Sequence, residues 1–144
     1  MNTKKIAIGS DHAGYETKEM IVGLLRELGH AVKDFGTSSS ESVDYPDYAH
    51  LVAEAVVSND FELGIVFCGS GNGVNITANK HKGIRSALCW TPEIAKLARF
   101  HNNANVCAIP ARFVPSEVAF DIVRAFLASN FEGGRHSVRV DKIE

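Results

Sequence analysis

Cys68 heads the run CGSGNG, with glycines at 69, 71 and 73 and with Ser70 and Asn72 between them. Glycines at that density let backbone N–H groups turn toward one point, and a helix that follows adds its positive end. Such a loop holds negative charge, either a ligand phosphate or an oxyanion that develops during a reaction. A thiolate is favoured near a helix N-terminus, which suits a base or a nucleophile. The bland alternative is a tight turn beside an inert buried thiol. Three glycines in five residues weigh against it, because glycine costs chain entropy wherever it is not needed.

Two nucleotide readings of the chain's glycines fail. Gly9 to Gly14 has the glycine separation of a P-loop, but Tyr15 stands where the lysine is required, and the run from Gly69 offers no lysine either. A dinucleotide fingerprint needs one more residue between its glycines and an acid at the end of the next strand. That strand ends at Cys89–Trp90–Thr91, without one. No cofactor is expected.

Other residues carry chemistry at a distance. Asp11 and His12 follow the first strand in GSDHAG; Asp11 is placed equally well to cap a helix or to act on a ligand. His101, in FHNNAN, ends a helix, where a histidine is often only a helix-end residue, and Asn102 after it reads equally as a turn residue. Arg135 and Arg139 are four apart, so they share a face if the tail is helical, and Gly133–Gly134 before them suggests a close approach.

The elements that must position these groups alternate. Strands are predicted at Lys5–Gly9, Ala31–Phe35, Leu63–Phe67, Arg85–Cys89 and Asn105–Ile109. Helices are predicted over Gly14–Leu28, Tyr48–Val57, Asn72–Lys80 and Pro92–Phe100, and over Glu117–Leu127 with Ser116 as its cap. The tail from Arg135 to Glu144 reads as polar and charged. Right-handed crossovers then give an α/β, Rossmann-like sandwich: a five-stranded parallel sheet, expected in the order 2-1-3-4-5, with helices on both faces. Ligands of such sheets sit beyond the strand ends at the switch point, here between strands 1 and 3. GSDHAG and CGSGNG therefore become neighbours.

The 144 residues suggest one domain, 1–144, with a C-terminal tail from about residue 133. Apolar content of 45% and charge of 22% are those of an ordinary soluble protein, and a net charge of −2 argues against nucleic-acid or membrane-surface partners. Three cysteines without zinc-site spacing predict neither a disulfide framework nor a metal site. Cys89 and Cys107, in apolar strands, read as inert. The N-terminal apolar run is too short for a signal peptide and nothing approaches a membrane span, so the cytoplasm is expected.

Taken together, GSDHAG, FGT (Phe35–Thr37), SVDYPDYA (Ser42–Ala49), CGSGNG, TANK (Thr77–Lys80), GIR (Gly83–Arg85), HNNAN and EGGRHSVRV (Glu132–Val140) resemble the type B ribose-5-phosphate isomerases, the family that includes galactose-6-phosphate isomerase subunits. The motifs keep the family's order across nearly the whole chain. The resemblance implies an aldose–ketose isomerase of the pentose phosphate pathway that interconverts ribose 5-phosphate and ribulose 5-phosphate through an enediolate, without metal or nucleotide. It implies Cys68 as the base, His101 as the acid that opens the sugar ring, and Asp11 at the sugar hydroxyls. Gly69, Gly71, Asn72 and Gly73, with Ser70, would stabilise the enediolate. His12, Arg112, Arg135 and Arg139 would bind phosphate, and Asn102 the sugar. It implies a homodimer or tetramer with the site shared between chains, and a tail from about residue 133 that serves the site or a dimer contact.

Members that lack the cysteine carry a glutamate just after the last loop glycine. Here that position is Val74, which leaves Cys68 as the evident base. Alternatives are an isomerase of allose or galactose 6-phosphate, a cysteine hydrolase built on Cys68, His101 and Asp11, and a phosphosugar-binding module without catalysis.

Overall fold

Five apolar runs, each followed by an amphipathic stretch, have only one economical arrangement: parallel strands with helices crossing over both faces. The computed structural model describes residues 2–144 and has this arrangement. Its strands are β1 (Lys5–Ser10), β2 (Ala31–Asp34), β3 (Leu63–Cys68), β4 (Ser86–Leu88) and β5 (Val106–Pro110). Its helices are α1 (Tyr15–Glu27), α2 (Tyr45–Val57), α3 (Asn72–Asn79), α4 (Pro92–Asn102), α5 (Ser116–Ala128) and α6 (Arg135–Asp141). One face buries Ile6, Ile8, Ile65, Phe67 and Ile109 against α1, α4 and α5. The other buries Ala7, Val66, Cys68 and Ala108 against α2 and α3. Among the described residues no helix is long and apolar enough to cross a membrane.

The strand order is β2-β1-β3-β5-β4, which corrects the expected 2-1-3-4-5. Burial explains the exchange. All five residues of β5 are buried, whereas the three of β4 are only half-buried. A strand that is apolar on both faces belongs inside a parallel sheet, and a short strand carrying Ser86 suits an edge. The exchange matters for function. It sets Pro110–Arg112, not the end of β4, beside the run after β3: the Ala111 N–H donates to the Cys68 carbonyl at 2.9 Å and the Arg112 N–H to the Gly69 carbonyl at 3.0 Å.

Helix ends and the tail also differ from expectation. α2 starts at Tyr45, three residues before the predicted start, because Pro46 fits a first helical turn, where its missing N–H would be unpaired anyway. Pro115, with extended backbone, takes the cap position of α5, so Ser116 is its first residue and not its cap. The charged tail forms α6, held by the buried His136 and Val140.

The first crossover is tight. Asp11 Oδ1 accepts from the N–H groups of Ala13 and Gly14 at 2.9 and 3.1 Å, which caps the single 3-10 turn His12–Gly14 before α1. A Cβ on Gly14 would lie 2.5 Å from Phe67 Cβ and within 3.2 Å of its backbone. Gly14→Ala therefore forces the His12–Gly14 turn and β3 apart, and is expected to destabilise the protein by about 1–3 kcal/mol. Urea denaturation should show this as a lower midpoint with an unchanged slope; an unaltered midpoint would refute the packing argument.

Candidate active site

The switch point is where the sheet delivers its chemistry. β1 and β3 run side by side, Ser10 opposite Phe67, and the Asp11 N–H donates to the Phe67 carbonyl at 3.3 Å. The end of β1 is braced from behind. The buried Lys18 ammonium pairs with Asp34 at 2.6 Å and Glu19 at 2.7 Å. Asp34 Oδ1 accepts from Gly36 N–H at 2.9 Å, and Gly36 and Thr37 exchange backbone bonds of 2.7 and 2.8 Å with Ser10. The FGT segment thus fixes where Asp11 begins.

Between these loops lies a pocket of about 510 Å³, lined by Asp11, His12, Ala13, Tyr45, Cys68, Gly69, Ser70, Gly73, Arg112 and Phe113. That volume is typical of small-molecule sites. Cys68 is 5% exposed and belongs to the apolar cluster that also holds Val74. Gly71 has φ +76°, a conformation that glycine adopts without strain. A Cβ there would meet Leu88 at 2.5 Å, so the loop can turn into α3 only with glycine at this position. The Asn72 N–H donates to Ser70 Oγ at 3.3 Å, which leaves the Ser70 hydroxyl hydrogen free for a ligand. His12 Nδ1 accepts from Val43 N–H at 3.2 Å. A neutral His12 then carries its hydrogen on Nε2, as a donor. The Arg112 side chain lies over Gly69, within 3.1 Å of where a Cβ would stand.

A second group of residues lies at the other end of the sheet. α4 runs back from the end of β4 to the start of β5. Beyond His101 and Asn102, the Asn105 carbonyl accepts from Gly64 N–H at 2.9 Å, at the start of β3. Cys68 stands four residues farther along that strand, about 13 Å away at the usual rise per residue. His101 therefore cannot reach Cys68 within one chain, and no Cys68–His101–Asp11 triad forms there. His101 stacks on His136 of α6, ring centroids 4.2 Å apart. Asn102 lines a separate hollow of about 450 Å³ with Arg85, Ser86, Ala104 and Ile143. Arg135 and Arg139 are exposed and pair with no carboxylate among the described residues. α6 puts them one turn apart, as their spacing predicts, and Arg139 Nη1 donates to the Arg135 carbonyl at 3.1 Å.

Residues 6–143 match the family model described as Ribose/Galactose Isomerase. The chain belongs to the ribose/galactose isomerase family. It is 49% identical over 140 residues to ribose-5-phosphate isomerase B of Escherichia coli, covering 97% of this chain and 94% of the relative. A ribose 5-phosphate isomerase structure from Thermotoga maritima superposes with a TM-score of 0.96 at 51% identity, covering 99% of this chain and 98% of that one. The Mycoplasma genitalium structure with bound ribulose-5-phosphate superposes with a TM-score of 0.94 at 46% identity, covering 96% and 93%.

Of the site residues expected for this family, the chain brings Asp11, His12, Cys68, Gly69, Ser70, Gly73 and Arg112 to one pocket. Gly71 and Asn72 shape its loop without lining it. His101, Asn102, Arg135 and Arg139 stand apart. Tyr45 and Phe113 were missed as walls of the pocket; Tyr45 lies within SVDYPDYA, and the early start of α2 is what brings it in. Cys89 and Cys107 are fully buried, as their apolar strands imply. A hydrogen bond from the Cys107 thiol to the Cys89 sulfur, then burial, pushes the Cys107 thiol well above its ordinary range.

Proposed function

We propose that this protein interconverts ribose 5-phosphate and ribulose 5-phosphate as a cytoplasmic homodimer whose sites draw on both chains. The observation that carries the reading is the Cys68 thiol set in the pocket beside a glycine loop and across from Arg112. The family membership and the relatives' names support it. Three free cysteines suit a reducing compartment.

Each step is assigned to a named group. His101 of one chain, brought to the partner's pocket, protonates the ring oxygen and opens the furanose, with Asp11 Oδ2 holding a sugar hydroxyl. Cys68, as thiolate, takes the proton from C2. The N–H groups of the Gly69–Gly73 loop and the Ser70 hydroxyl stabilise the enediolate, charge that exists only along the reaction path. A proton passes from O2 to O1, and Cys68 returns its proton to C1. His12 and Arg112, with Arg135, Arg139 and Asn102 of the partner, hold the phosphate and sugar. Planar guanidinium groups suit a phosphate, and binding so far from C1 and C2 orients the reacting carbons.

The dimer reading rests on what one chain leaves uncovered. The acid and two arginines are at the wrong end of their own sheet. Ile76, Val138 and Ile143 are each 59–60% exposed on α3, on α6 and just beyond it, apolar surface that a second copy would cover.

The test is isomerisation of ribose 5-phosphate in deuterium oxide, beside allose and galactose 6-phosphates. Ribulose 5-phosphate carrying deuterium at C1, with the pentose preferred, is expected. Preference for a six-carbon sugar would overturn the substrate, and turnover without any solvent label would overturn the base.

A further inference from the structure

His136 has no part in the chemistry above, yet it is the buried centre of the α4–α6 contact. It is 8% exposed, and its Nε2 has no hydrogen-bond partner. Its ring lies 4.2 Å from that of His101, with planes 13° from parallel. His101, Glu132 and His136 offer ligand atoms within 4.8 Å of one another, a set that a divalent metal could use. The stacking argues against that use. Imidazole lone pairs lie in the ring planes, so near-parallel rings aim them side by side, whereas tetrahedral zinc needs its ligand atoms convergent and about 3.3 Å apart.

Charge favours a different role. Two stacked imidazoles at this distance cannot both be protonated without strong repulsion. Burial first, then the charges of His101, Arg135 and Arg139, hold His136 below the ordinary histidine range, with Glu132 pulling the other way. These are the groups that face it from α4, from its own helix and from the preceding loop. His136 thus presents a neutral ring face, which is also favourable under a cation.

We propose that His136 is a positioning residue: its buried ring is the platform that holds the His101 imidazole in line to protonate the sugar ring oxygen. The proposal rests on the isomerase reading and on His101 as its acid. It predicts a split between two reactions. Ribose 5-phosphate enters as a furanose and must be opened. Ribulose 5-phosphate carries its phosphate on the oxygen that would close a furanose, so it is acyclic and needs only the base.

The experiment compares His136→Ala and His136→Phe with the parent protein. For His136→Ala, kcat from ribose 5-phosphate should fall about 10–10²-fold, the cost of a misaligned acid. Exchange of solvent deuterium into C1 of ribulose 5-phosphate should stay within about threefold, a looser version of the same alignment cost. His136→Phe keeps a neutral aromatic face and loses no hydrogen bond, so it should restore most of the aldose turnover. The proposal fails if the Ala variant loses both reactions equally, if it loses neither, or if Phe is as damaging as Ala. Parent protein inactive on both sugars would instead overturn the isomerase reading, a separate result.

Discussion

Cys68→Ala is expected to lower turnover of ribose 5-phosphate by about 10²–10⁴-fold, the usual contribution of a positioned general base, while phosphosugar affinity stays near normal. Two observations separate chemistry from binding here. His12 and Arg112, the proposed phosphate ligands, come from other loops, and the thiol itself lines the pocket wall with Gly69 and Gly73. Structural damage should be small. Removing a buried sulfur from an apolar cluster costs about 1–3 kcal/mol, against a total stability of about 5–15 kcal/mol for a typical domain. Val74, buried beside Cys68, offers no carboxylate to take over the proton. Cys68→Ser tests the same point with less change in volume, because a serine hydroxyl is a poor base at neutral pH. Kinetics and ligand titration on both variants decide it; near-normal turnover in either would remove Cys68 as the base.

A mixed dimer should recover what its parents lack. In the proposed homodimer, Cys68→Ala and His101→Ala would each leave two defective sites. Co-expression with different tags allows the mixed dimer to be isolated. One of its sites combines both substitutions, and the other combines an intact Cys68 with an intact His101. In a two-fold symmetric dimer this gives about half the activity of the parent protein. The expectation follows directly from α4 ending at the strand starts, while Cys68 lies where β3 ends. A mixed dimer no more active than the average of its parents would overturn the shared site.

The sequence made the pocket legible where function is local. Apolar runs of five or six residues marked the strands, and the switch-point rule joined GSDHAG to CGSGNG. The position of His101 was also legible, since a helix that returns to start the next strand must end far from the strand tips. Strand order was not legible. Which of β4 and β5 occupies the interior depends on how deeply each is buried, and a three-residue strand with one serine gives a weak signal in sequence. His136 was missed for a related reason. A polar residue in a charged tail reads as surface until the tail folds into α6 and turns it inward.

The sheet order has a further consequence for biosynthesis. Only β5 covers the outer edge of β3, and β5 is the last strand to be made. A nascent chain that stops short of Val106 carries β3 with one row of backbone groups bare, and the carbonyls of Cys68 and Gly69 still without the N–H groups of Ala111 and Arg112. Pairing across such sequence separation is slow, and exposed strand edges invite association. During synthesis the loop after β3 therefore gains these backbone partners only once β5 and Arg112 have been made, although its own residues lie near the middle of the chain.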